Sequence, residues 1–458
     1  MEDWNNRKIT VLGLGRSGIA TAKYLRKRGA SVWLSESAQE TDERREQAKE
    51  LESIGVKVEL GKHSDQALAF ADLVVTSPGI KPQSEVIKKL VAMNKEIICD
   101  VELAARDATM PIVAITGTNG KSTTTALISF MLEQSGKKAP ACGNFGVPIL
   151  SQLDLKPDYL IVEISSYQLY YTSRFAPKIA IWMNLTPDHL DWHGNIDEYV
   201  KAKTKLFANQ QRNQYAVLNF DDPLVAKTKT QAEIFPFSVE TELSHCIQGA
   251  FISNGYIAYK RAGGTKLVCR TDELQIIGKH NLENALAAVS ACALLRMDCS
   301  DIQRHLKEFK ALEHRLEYVG TVNGVPYYND SKATNPDSSI KALQAFPDEK
   351  VVLIAGGRDK GTSLSEFVQS IRNHAAAVIL LGEAKQRFEQ ALREVGVENI
   401  HSVDSMAEAV KLGEKLNLGP VLLSPACASF DMFKDFEDRG RVFKDLVRSR
   451  LEKMAPTV

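Results

Sequence analysis

With 458 residues, 44% of them hydrophobic and 25% charged, the chain exceeds what one hydrophobic core supports, and two to four domains of roughly 100–200 residues are expected. Lys+Arg and Asp+Glu balance at 57 each, which excludes bulk attraction to nucleic acid or to an anionic membrane and leaves anions to local groups. Seven cysteines without a Cys-x-x-Cys pair argue against a disulfide framework or a zinc site; the polar N-terminus and the lack of any apolar run near ~20 residues predict a cytoplasmic protein with no signal peptide or membrane span.

In chain order, the first predicted strand is ITVLGL, and it runs into GLGRSG, with Gly13, Gly15 and Gly18 in the spacing G-x-G-x-x-G ahead of a helical segment. Such a loop places backbone N–H groups and a helix N-terminus against a diphosphate. A dinucleotide site also needs an acidic residue at the end of the next strand, and Glu36 in SVWLSES stands there. The runs DLVVTS, PIVAIT, YLIVEI, KIAIWMN, VVLIAGG, AVILLG and PVLLSP follow, short and apolar throughout, as in strands buried on both faces of a parallel sheet. Between many of them lie helical patterns, such as the stripe Leu282, Ala285, Leu286, Val289 and Ala293. The alternation predicts an α/β protein with ligands at the carboxyl ends of the strands. Three domains are expected, over residues 1–98, 99–311 and 312–458, with a hairpin near 250–270 in the second and strand–helix alternation again in the third.

The second glycine loop, GTNGKST, spans Gly117 to Thr123 and follows PIVAIT. Backbone N–H groups of Gly117, Thr118, Asn119 and Gly120 would approach phosphate oxygens, Lys121 would reach the outer phosphates, and Ser122 or Thr123 would offer a hydroxyl to Mg²⁺. Ile115 stands where the ordinary P-loop has its first glycine, so this is a shortened variant; the competing reading is a glycine turn that only caps a helix. A nucleoside triphosphate needs a divalent cation, and Mg²⁺ prefers carboxylates and water. Glu163 follows the strand YLIV, and Asp188, His189, Asp191 and His193 cluster in NLTPDHLDWHG. A lone buried Glu is commonly half of an ion pair, but a strand end beside a phosphate loop favours a ligand. The His/Asp cluster reads equally well as a cap and turn before a helix near Ile196. By spacing alone, Lys203 in YVKAKTKLF reads as part of a solvated basic face with Lys201 and Lys205.

GTNGKST, EISSYQL, NLTPDHLDWHG, GKHNLENALAA, HRLE, NDSKATNP and LLSPACASFDMFKDFEDRG occur in this order over essentially the whole chain. Together they resemble the ATP-dependent Mur ligases of peptidoglycan synthesis. GTNGKST and GKHNLENA are shared in looser form with folylpolyglutamate synthases, whereas NDSKATNP and SPACASFDMFKDFEDRG resemble the D-glutamate-adding branch, and no DNPR sequence is present. The resemblance implies a Rossmann-like N-terminal domain for a UDP-linked substrate, a central P-loop ATPase-type domain and a C-terminal Rossmann-like domain for the amino acid. It implies ATP and Mg²⁺ as cofactors, with two metal sites and Mn²⁺ as a possible substitute. The implied substrates are UDP-N-acetylmuramoyl-L-alanine and D-glutamate, joined through an acyl phosphate by a monomer that binds no nucleic acid and does not enter the membrane.

The implied roles are these. Gly117, Thr118, Asn119, Gly120, Lys121, Ser122 and Thr123 hold phosphates, and Asn284, Arg315 and Asp330 contact the nucleotide. Ser122, Glu163, His189 and Lys203 ligate metal, Lys203 as a carbamate, and Lys332 bridges phosphate and intermediate. Gly15, Arg16, Ser17, Gly18, Ser35, Glu36, Ser37, Ser77, Gly79, Asn144 and His189 line the UDP-substrate site. Thr334, Lys360, Ser429 and Phe436 form the D-glutamate pocket. Two other readings compete: a folylpolyglutamate synthase, which lacks a full UDP-binding first domain, and a dehydrogenase or nucleotide sensor with a regulatory phosphate loop.

Overall fold

The computed structural model describes residues 2–243, 246–359 and 361–454; Lys360 lies outside the described residues, as does the side chain of Asp191. Three sheets carry the fold. The first contains β1 (Lys8–Leu12), β2 (Ser31–Glu36), β3 (Lys57–Leu60), β4 (Leu73–Thr76) and β5 (Glu96–Ile98) in the order β3-β2-β1-β4-β5, with every pairing parallel. The order reverses between β1 and β4. At that switch point the GLGRSG loop after β1 and the TSPGI loop after β4 come side by side.

The second sheet has nine strands: β6 (Ile112–Thr116), β7 (Ala141–Gly143), β8 (Leu160–Glu163), β9 (Ile179–Trp182), β10 (Tyr215–Asn219), β11 (Glu233–Ser238), β12 (Gly249–Ser253), β13 (Tyr256–Arg261) and β14 (Gly264–Arg270). They lie in the order β14-β13-β12-β11-β10-β9-β6-β8-β7, so β6 sits between β8 and β9 and its glycine loop opens at the second switch point. Every residue of β6, β8 and β9 is buried, as their uninterrupted apolar runs require. The expected hairpin is β12–β13, turned by Asn254 and Gly255, both at positive φ (49° and 77°).

The third sheet comprises β15 (Glu317–Val322), β16 (Val325–Asn329), β17 (Val351–Gly356), β18 (Ala375–Leu381), β19 (Ile400–Ser402) and β20 (Val421–Leu423), in the order β15-β16-β20-β17-β18-β19. Here strand–helix alternation is not the whole pattern: β15 and β16 form an antiparallel hairpin. Its turn residues Asn323 and Gly324, at φ 49° and 83°, are the same dipeptide as at 254–255. Residues 272–282 pack with 308–454 as one compact unit, and residues up to 271 pack with 283–307 as another.

In the N-terminal unit the helix Asp100–Asp107 carries Glu102, which is fully buried. Its carboxylate accepts the backbone N–H groups of Ser173, Arg174 and Phe175 and the Ser173 hydroxyl at 3.0–3.2 Å, and it pairs with Arg106 at 3.3 Å. Replacing it by alanine strands three backbone N–H donors and the Ser173 hydroxyl, while Arg106 keeps its 2.6 Å pair with Glu96. Glu102→Ala is expected to cost about 3–5 kcal/mol in urea unfolding, and Glu102→Gln less. A loss below about 1 kcal/mol for the alanine variant would contradict this role.

Candidate functional site

The first glycine loop is built by close approach. Gly13 has φ +100°, and a Cβ there would lie 2.3 Å from the Ser77 hydroxyl oxygen; a Cβ on Gly18 would lie 2.0 Å from the Gly13 carbonyl oxygen. A Cβ on Gly15 would meet nothing within 4 Å among the described residues beyond its chain neighbours, so this open side of the loop is the side a phosphate would approach. Gly15, Arg16, Ser17, Ser77, Asn144 and Gln168 line a cavity of about 220 Å³. Gly15, Arg16, Ser37, Gly79 and Asn144 are exposed.

Two of the residues expected at the uridine end also hold partners within their own domain. Ser35 is fully buried, and its hydroxyl oxygen lies 2.7 Å from both Glu59 Oε1 and His63 Nδ1. Glu36 accepts the N–H groups of Leu14 (2.8 Å) and Ala38 (2.7 Å), so both of its oxygens brace the loop. Burial raises the Glu36 pKa, but these two bonds together with the charges of Arg44 and His63 outweigh it and hold the carboxyl below its usual range.

The second glycine loop is knitted to the segment 184–186. Thr118 N–H donates to the Asn184 carbonyl (3.0 Å), Asn119 N–H to Asn184 Oδ1 (2.9 Å), and Thr186 N–H to the Thr118 hydroxyl (3.0 Å). Gly120, at φ +83°, caps the helix Lys121–Gln134, and a Cβ there would strike Asn284 Oδ1 at 2.4 Å. Asn284, 2% exposed, therefore packs directly on the loop and accepts the Thr124 hydroxyl at 3.2 Å. Ser122 and Thr123 are buried at the start of the same helix.

Two ammonium groups converge on one carbonyl. Lys121 Nζ donates to the Gly117 oxygen at 2.9 Å and Lys203 Nζ to the same oxygen at 2.8 Å. Lys203 does not belong to a solvated face: it is 1% exposed, and its ammonium lies 4.7 Å from the Tyr199 ring centroid. Burial first and Lys121 second push its pKa well below the usual lysine value, against the attraction of Asp188 and Glu163.

Glu163 ends β8 and is 2% exposed. Asn144 Nδ2 donates to its Oε1 at 2.6 Å, while its Oε2 is buried with no hydrogen-bond partner among the described residues. His189, in the left-handed region at φ 56°, packs its ring on Tyr167, with centroids 4.8 Å apart. His193 turns inward instead, 5% exposed, with Nε2 2.9 Å from the Ser166 hydroxyl. The His/Asp cluster forms its own short helix, Leu190–His193, and Asn195 caps the next one, Ile196–Ala208.

In the C-terminal unit, Asp330 accepts the Ser424 hydroxyl (2.8 Å) and the Leu316 N–H (3.2 Å). The Lys332 ammonium lies 3.6 Å from the Phe436 ring centroid, and Ser429 is 1% exposed. Sequence reasoning passed over Arg439 in FEDRG. It is buried, donates to the Ser331 hydroxyl (2.9 Å) and carbonyl (2.8 Å) and to the Cys427 carbonyl (3.1 Å), and so ties NDSKATNP to SPACAS. An arginine in an acidic run was its only signal. Glu313, His314 and Glu317 also gather within metal-ligand spacing, but the Lys444 ammonium already pairs with both carboxylates.

Burial pushes the Asp330 carboxyl up to about 7, although its hydrogen bonds and the charges of Arg315 and Arg439 favour ionisation. An unfolded aspartate titrates near ~3.9, so the folded chain binds the extra proton and loses stability as pH rises from about 4 through 7. Asp330→Asn is expected to raise Tm at pH 8 more than at pH 5; an equal change at both would contradict the raised value.

The chain matches three family profiles in sequence: the Mur ligase MurD-like N-terminal domain over residues 7–99, the Mur ligase middle domain over 115–292 and the Mur ligase glutamate ligase domain over 314–427. It is 41% identical over 455 residues to a UDP-N-acetylmuramoylalanine–D-glutamate ligase of Pelotomaculum thermopropionicum, covering 98% of this chain and 99% of the relative. A ligase of the same name from Caldanaerobacter subterraneus is 42% identical over 449 residues, covering 96% and 98%. Among solved structures, the UDP-N-acetylmuramate–alanine ligase of Thermotoga maritima shares the fold at TM-score 0.60 and 20% identity, over 96% of this chain and 99% of that one. A folylpolyglutamate synthase of Mycobacterium tuberculosis shares it at 0.57 and 14%, over 74% and 92%. With relatives above 40% identity along nearly its full length and all three family domains in order, the chain belongs to the Mur ligase family.

Proposed function

We propose that this chain joins D-glutamate to UDP-N-acetylmuramoyl-L-alanine, with ATP cleaved to ADP and phosphate. The single observation that carries the proposal is the pair of lysines, Lys121 and Lys203, on one carbonyl beside the unpartnered Oε2 of Glu163. The Lys121 ammonium, held on a neutral oxygen against a second lysine, calls for an anion, and a buried carboxylate oxygen without a donor calls for a cation. A nucleoside triphosphate with Mg²⁺ supplies both. The names of the two relatives point to the same reaction.

In this reading a substrate carboxylate oxygen attacks the γ-phosphorus, the bond to the ADP oxygen breaks, and an acyl phosphate forms. The D-glutamate amine then adds to the acyl carbon, phosphate leaves with the carbon–oxygen bond, and the amine proton is lost. Phosphoryl transfer asks the protein mainly for positioning and charge. The N–H groups of 117–120 and Lys121 hold phosphates. Ser122, Glu163, His189 and Lys203 would hold Mg²⁺, which when bound neutralises charge on the transferring phosphoryl group. Two such cations, with Mn²⁺ as a substitute, belong to the proposal. Lys203 serves as a carbamate, formed by addition of its neutral amine to CO₂ with loss of a proton. Full burial supports that role, because a side chain meant for solvent would not be enclosed beside another lysine.

Gly15, Arg16, Ser17 and Gly18 hold the diphosphate, with Ser77, Gly79 and Asn144 along the substrate and Glu36 and Ser37 at the uridine end. Ser35 contributes through the backbone it anchors, since its carbonyl accepts Gly13 N–H at 2.8 Å. Asn284, Arg315 and Asp330 serve the nucleotide, Lys332 the phosphate and intermediate, and Thr334, Lys360, Ser429 and Phe436 the amino acid. Functional domains at 1–98, 99–311 and 312–458 follow from this division of labour. Among the described residues no helix is long and apolar enough to cross a membrane, and water-soluble substrates fit action as a cytoplasmic monomer.

Phosphate release from ATP should require both UDP-N-acetylmuramoyl-L-alanine and D-glutamate. Release with a folate and L-glutamate instead, or nicotinamide oxidation without ATP, would overturn the proposal. Lys203→Ala should lose at least about 100-fold in kcat and recover part of it with a short carboxylic acid, which replaces one anion by another. Near-normal turnover of the variant without additive would remove the carbamate.

A further inference from the structure

The loop after β18 carries none of the residues assigned so far, yet both loops of the amino-acid side rest on it. The strands β20, β17 and β18 run parallel as neighbours, so their carboxyl ends open side by side. The loop after β17 begins at Gly357, and the loop after β20 leads through Ala428 and Ser429 to Phe436. Gly357, at φ +134°, leaves no room for a side chain: a Cβ there would lie 2.4 Å from the Ala428 carbonyl oxygen. The Arg358 N–H donates to that same oxygen at 2.9 Å. The two loops therefore meet backbone to backbone.

The segment 382–387 grips both. On one side the Glu383 N–H donates to Asp431 Oδ2 at 2.9 Å, and a Cβ on Gly382, at φ +76°, would strike that oxygen at 2.4 Å. On the other the Ala384 N–H donates to the Gly357 carbonyl at 2.9 Å. Arg387, in the first turn of the helix Lys385–Glu394, donates from Nη1 to Asp359 Oδ1 at 2.8 Å and from Nη2 to the Thr362 carbonyl at 2.6 Å. Asp359 Oδ1 also accepts the Gly361 N–H at 2.9 Å. A cation in the first turn opposes the helix dipole, so Arg387 does not stand there for the helix's own sake. An exposed ion pair by itself contributes little. Here one planar fork spans two points of one loop, a bridge that a lysine's ammonium does not reproduce.

We propose that Arg387 and Asp431 are positioning residues that set the spacing of the amino-acid pocket by bracing its two loops on the segment 382–387. The proposal rests on the ligase reading, which takes Lys360, Ser429 and Phe436 of these loops for D-glutamate. A substrate with two carboxylates is held at both ends only while groups on separate loops keep their distance. Loosening either grip lets the loops part and weakens capture of the amino acid. The two glycine loops that take the phosphates belong to the other compact unit and do not depend on this brace.

The test has two arms. In steady-state kinetics of the full chain, Arg387→Ala and Asp431→Ala should each raise KM for D-glutamate at least about tenfold, with kcat and the KM values for ATP and UDP-N-acetylmuramoyl-L-alanine within about twofold. Asp431→Asn keeps an acceptor for the Glu383 N–H and should recover most of the loss, whereas Arg387→Lys should not. A merely structural defect would lower the active fraction, and so kcat, without moving one KM. In the ligand-free chain, amide hydrogen exchange should quicken in both loops in each alanine variant. An unchanged KM for D-glutamate in both alanine variants, equal rises for all three substrates, or exchange that quickens only in the loop that lost its contact overturns the proposal. Joint quickening of both loops in a chain that releases no phosphate with D-glutamate supports the brace and fails the ligase reading.

Discussion

A carboxylate oxygen buried without a donor, in the same site as two lysines that share one backbone oxygen, is the constraint on which the central site depends. Neither feature stabilises the chain by itself. Like charges repel, and an unsatisfied buried oxygen forfeits its hydration. The surrounding fold has to hold them there, and it does so with ordinary means. Glu163 is the last residue of a strand buried along its whole length, Lys121 is fixed at a helix start, and Lys203 is enclosed by the helix that carries Tyr199 and Leu206. The stored cost is what a triphosphate and its cation would relieve, so binding and site geometry are two sides of one arrangement.

The two sheets of the N-terminal unit, parallel around their glycine loops, explain why phosphate-type loops occur twice. Each sheet reverses its strand order once beside its glycine loop, between β1 and β4 and around β6, and a reversal opens a crevice at the carboxyl ends. Gly13–Gly18 and Gly117–Gly120 are the linings of those two crevices. Asn144, just after β7, and Gln168, on the helix Ser166–Tyr170 that follows β8, line the first crevice's cavity with Gly15, Arg16 and Ser17, so the two crevices share a wall.

Much of this was legible in the chain. Each of the eight apolar runs is a strand, because strands buried on both faces need no alternation to be recognised. Glu163 and the glycine loops were legible from their place after such runs. The hairpin at 317–329 was not read, although Asn323-Gly324 carries the same signal as Asn254-Gly255; its flanking strands are half polar and lack the run pattern. Lys203 could not be separated from Lys201 and Lys205 by charge. The separation lay in periodicity: Tyr199, Ala202, Lys203 and Leu206 fall on the inward stripe of one helix. The capture of Ser35 by Glu59 and His63, the Asp100–Gln168 contact and the Arg439 clamp join residues far apart in the chain, and no local pattern announces them.

The central claim is that one reaction uses both glycine loops, with the nucleotide-linked substrate's carboxylate attacking ATP. Its most direct test is isotope transfer. UDP-N-acetylmuramoyl-L-alanine labelled with ¹⁸O in its terminal carboxylate is turned over with ATP and D-glutamate, and the released phosphate is examined by mass spectrometry. An acyl phosphate requires one carboxylate oxygen to leave with the phosphate, so the phosphate should carry the label. Unlabelled phosphate, formed alongside the amide product, would contradict the account.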